Sequence, residues 1–204
     1  VKFTFDRIKD PETKALAGSY LVTIIGCEVI DDYTVKFTTD GVDPIFLARL
    51  TQFLTLPPGY VEEAGDEQVA LKPVGTGPFK FVEWIKDDKV VLEANENYFL
   101  GKPSIEKVTF KAVPEIATQV AALQSGQLDL LPNIPADQIE TLKSSGKAKI
   151  VTTSGARMQM LNFNMETELG RNKNFRIAVA HAIERDIIVD SLMSGYGKAL
   201  EIPI

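Results

Sequence analysis

Five kinds of site in this chain carry chemistry by residue type. They are the adjacent carboxylates Asp31-Asp32 and Asp87-Asp88, the lone His181, the lone Cys27, the serines near glycine (Ser125, Ser145, Ser154, Ser194) and the stretch Val74-Gly75-Thr76-Gly77-Pro78. Paired carboxylates work as general acid and base only when one sits in a pocket that raises its pKa. Here Asp31-Asp32 separates Cys27 and Val29 from Tyr33, Val35 and Phe37, and Asp87-Asp88 separates Phe79, Phe81 and Trp84-Ile85 from Val90, Leu92 and Ala94. Both are period-two patterns, so the aspartates mark solvated hairpin turns. His181 lies between Ala180 and Ala182 on a predicted helix with no metal-ligand spacing nearby, and it reads as a packed or partly exposed helix residue.

The serines lack the GxSxG frame of a nucleophile elbow. The glycine-rich stretch lacks both phosphate-binding frames and leads into a strand, so it reads as a tight turn. A single cysteine supplies neither a zinc site nor a redox pair, and Cys27 within a strand is expected to act as a small apolar residue. Nothing assembles a nucleophile, a base and an orienting group. The expectation is therefore a non-catalytic protein with no metal and no cofactor. Met158 and Met160 are different, because soft side chains near a strand end can adapt to varied ligands as well as pack in a core.

These residues must be positioned by an interleaved set of helices and strands. Val1, Phe5 and Ile8 recur at helical spacing until Asp10-Pro11. Hairpins are expected around each Asp pair, with an apolar helix at residues 44–56 stopped by Pro57-Pro58-Gly59 and a polar loop at 65–72. Ile105, Val108, Phe110 and Val113 suggest a strand. Pro114 then opens a helix through Ile116, Val120 and Leu123 that Gly126 caps, and Pro135 with Asp137 opens another through Ile139 and Leu142. Short strands are predicted at 128–131, 148–153 and 158–164, and a long helix or helix pair at about 174–193. The sum is an α/β or α+β arrangement around a mixed sheet, with early hairpins.

Composition narrows the partners. The 204 residues are 45% hydrophobic and 25% charged, which suffices for a substantial core. A net charge of -6 repels a phosphate backbone and an anionic membrane, so no nucleic acid is expected. There is no run of about 18 apolar residues to span a bilayer. The opening Val1-Lys2-Phe3-Thr4-Phe5 has no initiating Met and no signal-like region, and the end at Ile204 has no cap, so both ends read as cuts.

Three blocks carry a family resemblance. The first is Pro73-Val74-Gly75-Thr76-Gly77-Pro78-Phe79-Lys80, continued by Glu83-Trp84, Val91-Leu92-Glu93 and the stretch from Asn95-Glu96-Asn97-Tyr98 to Pro103. The second runs from Ala117-Thr118-Gln119 to Gly126-Gln127-Leu128-Asp129. The third is Leu161-Asn162-Phe163-Asn164 with Arg176-Ile177-Ala178 and Arg185-Asp186-Ile187. Together they resemble the extracellular solute-binding proteins of family 5, the oligopeptide-, dipeptide- and nickel-binding subunits of ABC importers. Phe175-Arg176 and Glu184-Arg185 stand where the family usually has Val-Arg and Asp-Arg or Asp-Lys.

The resemblance implies a periplasmic-binding-protein-like type II lobe with a mixed sheet, flanking helices and a small β-hairpin subdomain. Residues 1–204 would be part of the first lobe, with about 25–72 a hairpin and helix subdomain, about 73–204 the main α/β part, and the second lobe absent. It also implies a periplasmic or extracellular, membrane-associated protein that closes on a small solute, a peptide first of all, and delivers it to ABC permease subunits. The signal or lipid anchor would lie outside this stretch. The family's solute-facing groups fall before Asn164, here on Arg157, Met158, Gln159 and Met160. Arg157 would pair with a carboxylate or the opposing lobe, Gln159 would bond a peptide backbone, and the methionines would form an adaptable wall. Alternation puts Gln159 on the face of Leu161 and Phe163, and the methionines on the other. A ligand sensor on the same scaffold is the second reading, and a hydrolase a distant third.

Overall fold

Apolar residues at helical and alternating spacing pack around one ring, that of Phe37. In the computed structural model, which describes residues 1–153, 155 and 158–200, this ring meets Phe5, Phe46 and Phe53 edge-on at centroid separations of 5.8, 5.9 and 6.2 Å. Edge-on pairs set the positive rim of one ring against the negative face of another, which adds about 1 kcal/mol each to the apolar burial.

Each ring arrives on a different element. Phe5 comes from helix α1 (Lys2–Lys9), which ends where Asp10 turns extended ahead of Pro11. Phe37 comes from β2 (Thr34–Thr39), the antiparallel partner of β1 (Ile24–Asp31). Phe46 opens the short helix α2 (Phe46–Leu50), and Phe53 follows it. Leu21, Ile24 and Cys27 complete the buried cluster. Ile24 and Cys27 both point inward at an odd spacing because the ladder slips between Ile24 and Gly26, inserting one residue.

The predicted helix at 44–56 and loop at 65–72 are corrected. Helix α2 stops at Leu50, and the backbone N–H of Leu56 donates to the buried hydroxyl of Thr4 at 2.8 Å instead of to a helical carbonyl. Pro57-Pro58 then starts a helix rather than ending one, since proline at the first position loses no hydrogen bond. That helix, α3 (Pro58–Leu71), is interrupted at Gly65, whose φ of 72° no β-carbon residue adopts cheaply. Ahead of α2, the Asp43 carboxylate is almost wholly buried and accepts from the Thr23 hydroxyl. Arg49 donates to that hydroxyl at 2.9 Å and pairs with Asp43 at 3.5 Å, so the buried charge is neutralised locally.

A second sheet is an antiparallel meander of β3 (Phe79–Ile85), β4 (Lys89–Ala94) and β5 (Lys107–Lys111). Asp87, at φ 62°, takes the left-handed position in the β3–β4 turn. The Asn95 side chain donates to the Gly77 carbonyl at 3.1 Å, and its backbone N–H donates to the Pro78 carbonyl at 2.8 Å. The glycine-rich turn and the Asn95-Glu96-Asn97 turn are thus one clasp at the open end of this sheet.

The described residues divide into compact units between Ala112 and Val113. In the second, α4 (Ile116–Gln124) is closed by Gly126 at φ 75°, and α5 (Ala136–Ser145) by Gly146 at φ 64°. Val120 on α4 is buried, as are Ile139 and Leu142 on α5. Beyond them come α6 (Glu168–Arg171), α7 (Lys173–Ala182) and α8 (Arg185–Ile187), which widens into a π-helical turn at Ile188–Leu192. Of the long helix or helix pair expected at about 174–193, the pair is what forms: α7 ends where Ile183 turns extended, and α8 with its π turn follows Glu184, which is not helical.

Among the described residues no strand forms at 128–131, 148–153 or 158–164, and every paired strand is antiparallel, so the expected mixed sheet is not present in them. Alternation signals an extended chain, but a strand exists only where a neighbouring edge accepts its backbone hydrogen bonds.

Replacing Phe37 with Ala should lower the unfolding free energy by about 3 kcal/mol in a urea titration, whereas Tyr33→Ala at the fully exposed hairpin tip should change it by less than about 0.5 kcal/mol. Asp43→Ala leaves the Arg49 guanidinium without its carboxylate and should cost about 2 kcal/mol by the same measurement.

Candidate functional site

Apart from Ser154, which lies outside the described residues, the reactive residue types are placed in ordinary structural surroundings. Asp31 ends β1 with its carboxylate accepting the Tyr33 N–H at 2.8 Å, and this backbone bond, aided by Thr34, holds its carboxyl below the usual carboxylate range. A general acid needs the opposite shift. His181 is exposed in the last turn of α7. Burial pushes the Cys27 thiol up, away from the reactive thiolate. The carbonyl of Gly77 is engaged as an acceptor by Asn95, and the stretch runs into β3, so it offers no helix start for a phosphate. No cluster of three or more metal-ligating side chains occurs among the described residues, and no helix there is long and apolar enough to cross a membrane.

Two open recesses lie on the surface. One of about 290 Å³ adjoins Leu56, Pro57, Gly75 and Thr76 in the first unit. The other, of about 300 Å³, adjoins Glu184, Arg185 and Asp186 in the second. Arg185 already donates to the Leu200 carbonyl there at 2.7 Å. Neither recess gathers the convergent polar groups of an enclosed ligand pocket.

Of the residues expected to face solute, Met158, Gln159 and Met160 lie on a stretch before Asn164 that pairs with no strand among the described residues. Arg157 lies outside the described residues. Met158 and Met160 are 42% and 58% exposed, and Gln159 is exposed with them. The expected division between a core face and an outer face is corrected. Phe163 is half-buried against Phe175 at 6.1 Å, but Leu161 is exposed, so Gln159 shares no buried face with it. Without a ladder the pleat is not held to two faces, and all three consecutive side chains meet solvent. Two thioethers and a carboxamide can pack against apolar groups and exchange hydrogen bonds; they supply no nucleophile.

The end of this stretch is tied by a compact turn that sequence reasoning did not single out. The Asn164 side chain accepts the Glu166 N–H at 2.9 Å, and its carbonyl accepts the Thr167 N–H at 3.2 Å and the Thr167 hydroxyl at 2.8 Å. Thr167 in turn caps α6 by accepting the Gly170 N–H at 3.0 Å. A β-carbon on Gly170 would overlap the Asn164 carbonyl, so only glycine fits. Arg171 donates from Nε to the Met165 carbonyl at 2.8 Å, and Arg176 reaches back from α7 to the Gly170 carbonyl at 2.6 Å. The clue in the sequence was the pairing of the Leu161-Asn162-Phe163-Asn164 block with Arg176 downstream.

The family described as bacterial extracellular solute-binding proteins, family 5 Middle, matches residues 1–204. The oligopeptide-binding protein AppA of Bacillus subtilis is 31% identical over 212 aligned residues, which take in 100% of this chain and 38% of AppA. Its structure in complex with a nonapeptide superimposes with a TM-score of 0.77 at 29% identity, covering 99% of this chain and 41% of that one. NikZ from Campylobacter jejuni, in complex with Ni(L-His), superimposes with a TM-score of 0.84 at 25% identity, covering 100% of this chain and 41% of NikZ. The chain spans about two fifths of the length of such relatives. With the match running from the first residue to the last and the fold shared with solved members, the chain belongs to the bacterial extracellular solute-binding proteins of family 5.

Proposed function

We propose that this chain is part of the extracytoplasmic solute-binding component of an ABC importer, which holds a peptide or a similar small solute without breaking any bond in it. The observation that carries the reading is the family match over residues 1–204. AppA is named for oligopeptides and was seen with a nonapeptide, and NikZ with Ni(L-His), so peptides and small chelates are the solute classes to test first. On this reading residues 1–204 belong to the first lobe, with about 25–72 a hairpin and helix subdomain and about 73–204 its main α/β part. A second lobe closes over the solute, and the closed protein docks on permease subunits at the outer face of the membrane with which it is associated.

Within this lobe the solute-facing groups are Met158, Gln159 and Met160, together with Arg157. Exposure of the first three supports the assignment, because apolar and amide groups left open to solvent can be desolvated by a ligand and an opposing lobe. Gln159 offers both a donor and an acceptor to a peptide backbone, and methionine adapts its shape to varied side chains.

Mass spectrometry and metal analysis of solute released from the freshly purified whole protein should show a bound peptide or chelate; incubation with added peptides should leave them intact. Cleaved products would overturn the reading. Met158→Ala and Gln159→Ala, made separately in the whole protein, should each weaken affinity for that solute by about tenfold in calorimetry. Unchanged affinity in both would remove this stretch from the site.

A further inference from the structure

We propose that Arg176 is a positioning residue for solute binding: through the Gly170 carbonyl it locks the turn at Asn164 and so sets where the Met158, Gln159 and Met160 side chains stand. The inference rests on the assignment of those three residues to the solute site. It is carried by the geometry of the turn itself.

Met158 to Met160 belong to no sheet among the described residues, so ladder hydrogen bonds do not fix them. Their downstream anchor begins at Phe163, half-buried beside Phe175, and at Asn164. Every polar group of Asn164 that is engaged points into the turn: its side chain holds Glu166, and its carbonyl holds both the backbone and the hydroxyl of Thr167. Thr167 passes the constraint to Gly170, whose missing β-carbon lets the Asn164 carbonyl sit against it.

The Gly170 carbonyl is where α7 takes hold. Arg176 Nη1 meets it at 2.6 Å from about one turn into the helix, while Asn172 caps the same helix by accepting the N–H groups of Asn174 and Phe175 at 3.0 and 3.2 Å. The contact is charge-assisted and partly buried, and among the described residues Arg176 has no carboxylate within ion-pair distance, so its charge is spent on the backbone carbonyl. Phe175, its neighbour on α7, packs on Phe163 at the same time. One helix thus grips the stretch twice, by a ring at Phe163 and by a guanidinium through Gly170. Loosening either grip raises the cost of ordering the stretch when solute arrives.

The test uses the whole protein with Arg176→Ala and Arg176→Lys, read by hydrogen exchange without ligand and by retention of an equimolar pool of synthetic nonapeptides. Arg176→Ala should speed amide exchange at residues 158–164 by about tenfold while β3, β4 and β5 keep their rates, and should weaken peptide retention by about tenfold. Arg176→Lys, which keeps a cationic donor, should recover part of both losses. Unchanged exchange at 158–164, or equal acceleration throughout the protein, would overturn the proposal. So would faster local exchange with undiminished retention. If wild type retains no nonapeptide, the peptide reading fails and the exchange pattern alone decides the positioning role.

Discussion

A backbone segment outside any sheet or helix is held in position by its ends, and among the described residues the segment 158–164 is of this kind. Among the described residues no ladder pairs this backbone, and Met158, Gln159 and Met160 are exposed. The same freedom would leave them unplaced without the turn that follows. Asn164, Thr167, Gly170 and Arg176 form that turn from consecutive short bonds, each satisfying a group the previous one leaves open. On the proposed reading this division suits adaptable binding, with exposed, soft side chains standing on a closed polar knot.

The first unit solves a different problem with apolar contacts. Its two-stranded sheet is too small to be stable alone, since an isolated hairpin leaves both faces, including the one that carries Phe37, open to water. Phe37 makes that face useful by receiving rings from α1, α2 and the segment after α2. The Thr23, Asp43 and Arg49 group then closes the seam between β1 and α2, where a buried carboxylate survives because hydroxyl and guanidinium both answer it. The three-stranded meander depends instead on its clasp at Asn95. Two parts of the first sequence block that carried the family resemblance, around Gly77 and around Asn95, meet in that clasp. Their shared role here is architectural: glycine and proline make the turn, and asparagine holds it shut.

Much of this was legible in the residues. Both Asp pairs mark hairpin turns, and Gly126 closes α4 in the left-handed conformation. Those features are local, set by turn chemistry and by side-chain period within a few residues. The family was legible as well, because spaced blocks of many residues are far more specific than any single glycine motif, and the match over the whole chain agrees. What misled was context. Pro57-Pro58 reads equally as the end of one helix or the start of the next, and only the bond from Leu56 to Thr4, across more than fifty residues of chain, selects the second.

The amino-acid sequence by itself determined the two hairpins with their Asp-pair turns, the helices that Gly126 and Gly146 close, and the family to which the chain belongs, because each of these depends on neighbours along the chain or on spaced residue identities. Tertiary structure alone decided which extended segments become strands, that Met158, Gln159 and Met160 are all open to solvent, and that Arg176 is spent on the Gly170 carbonyl. The reason is that burial, pairing and long-range hydrogen bonds require a partner from elsewhere in the fold, and a side chain's type records its capacity for such a partner without naming it.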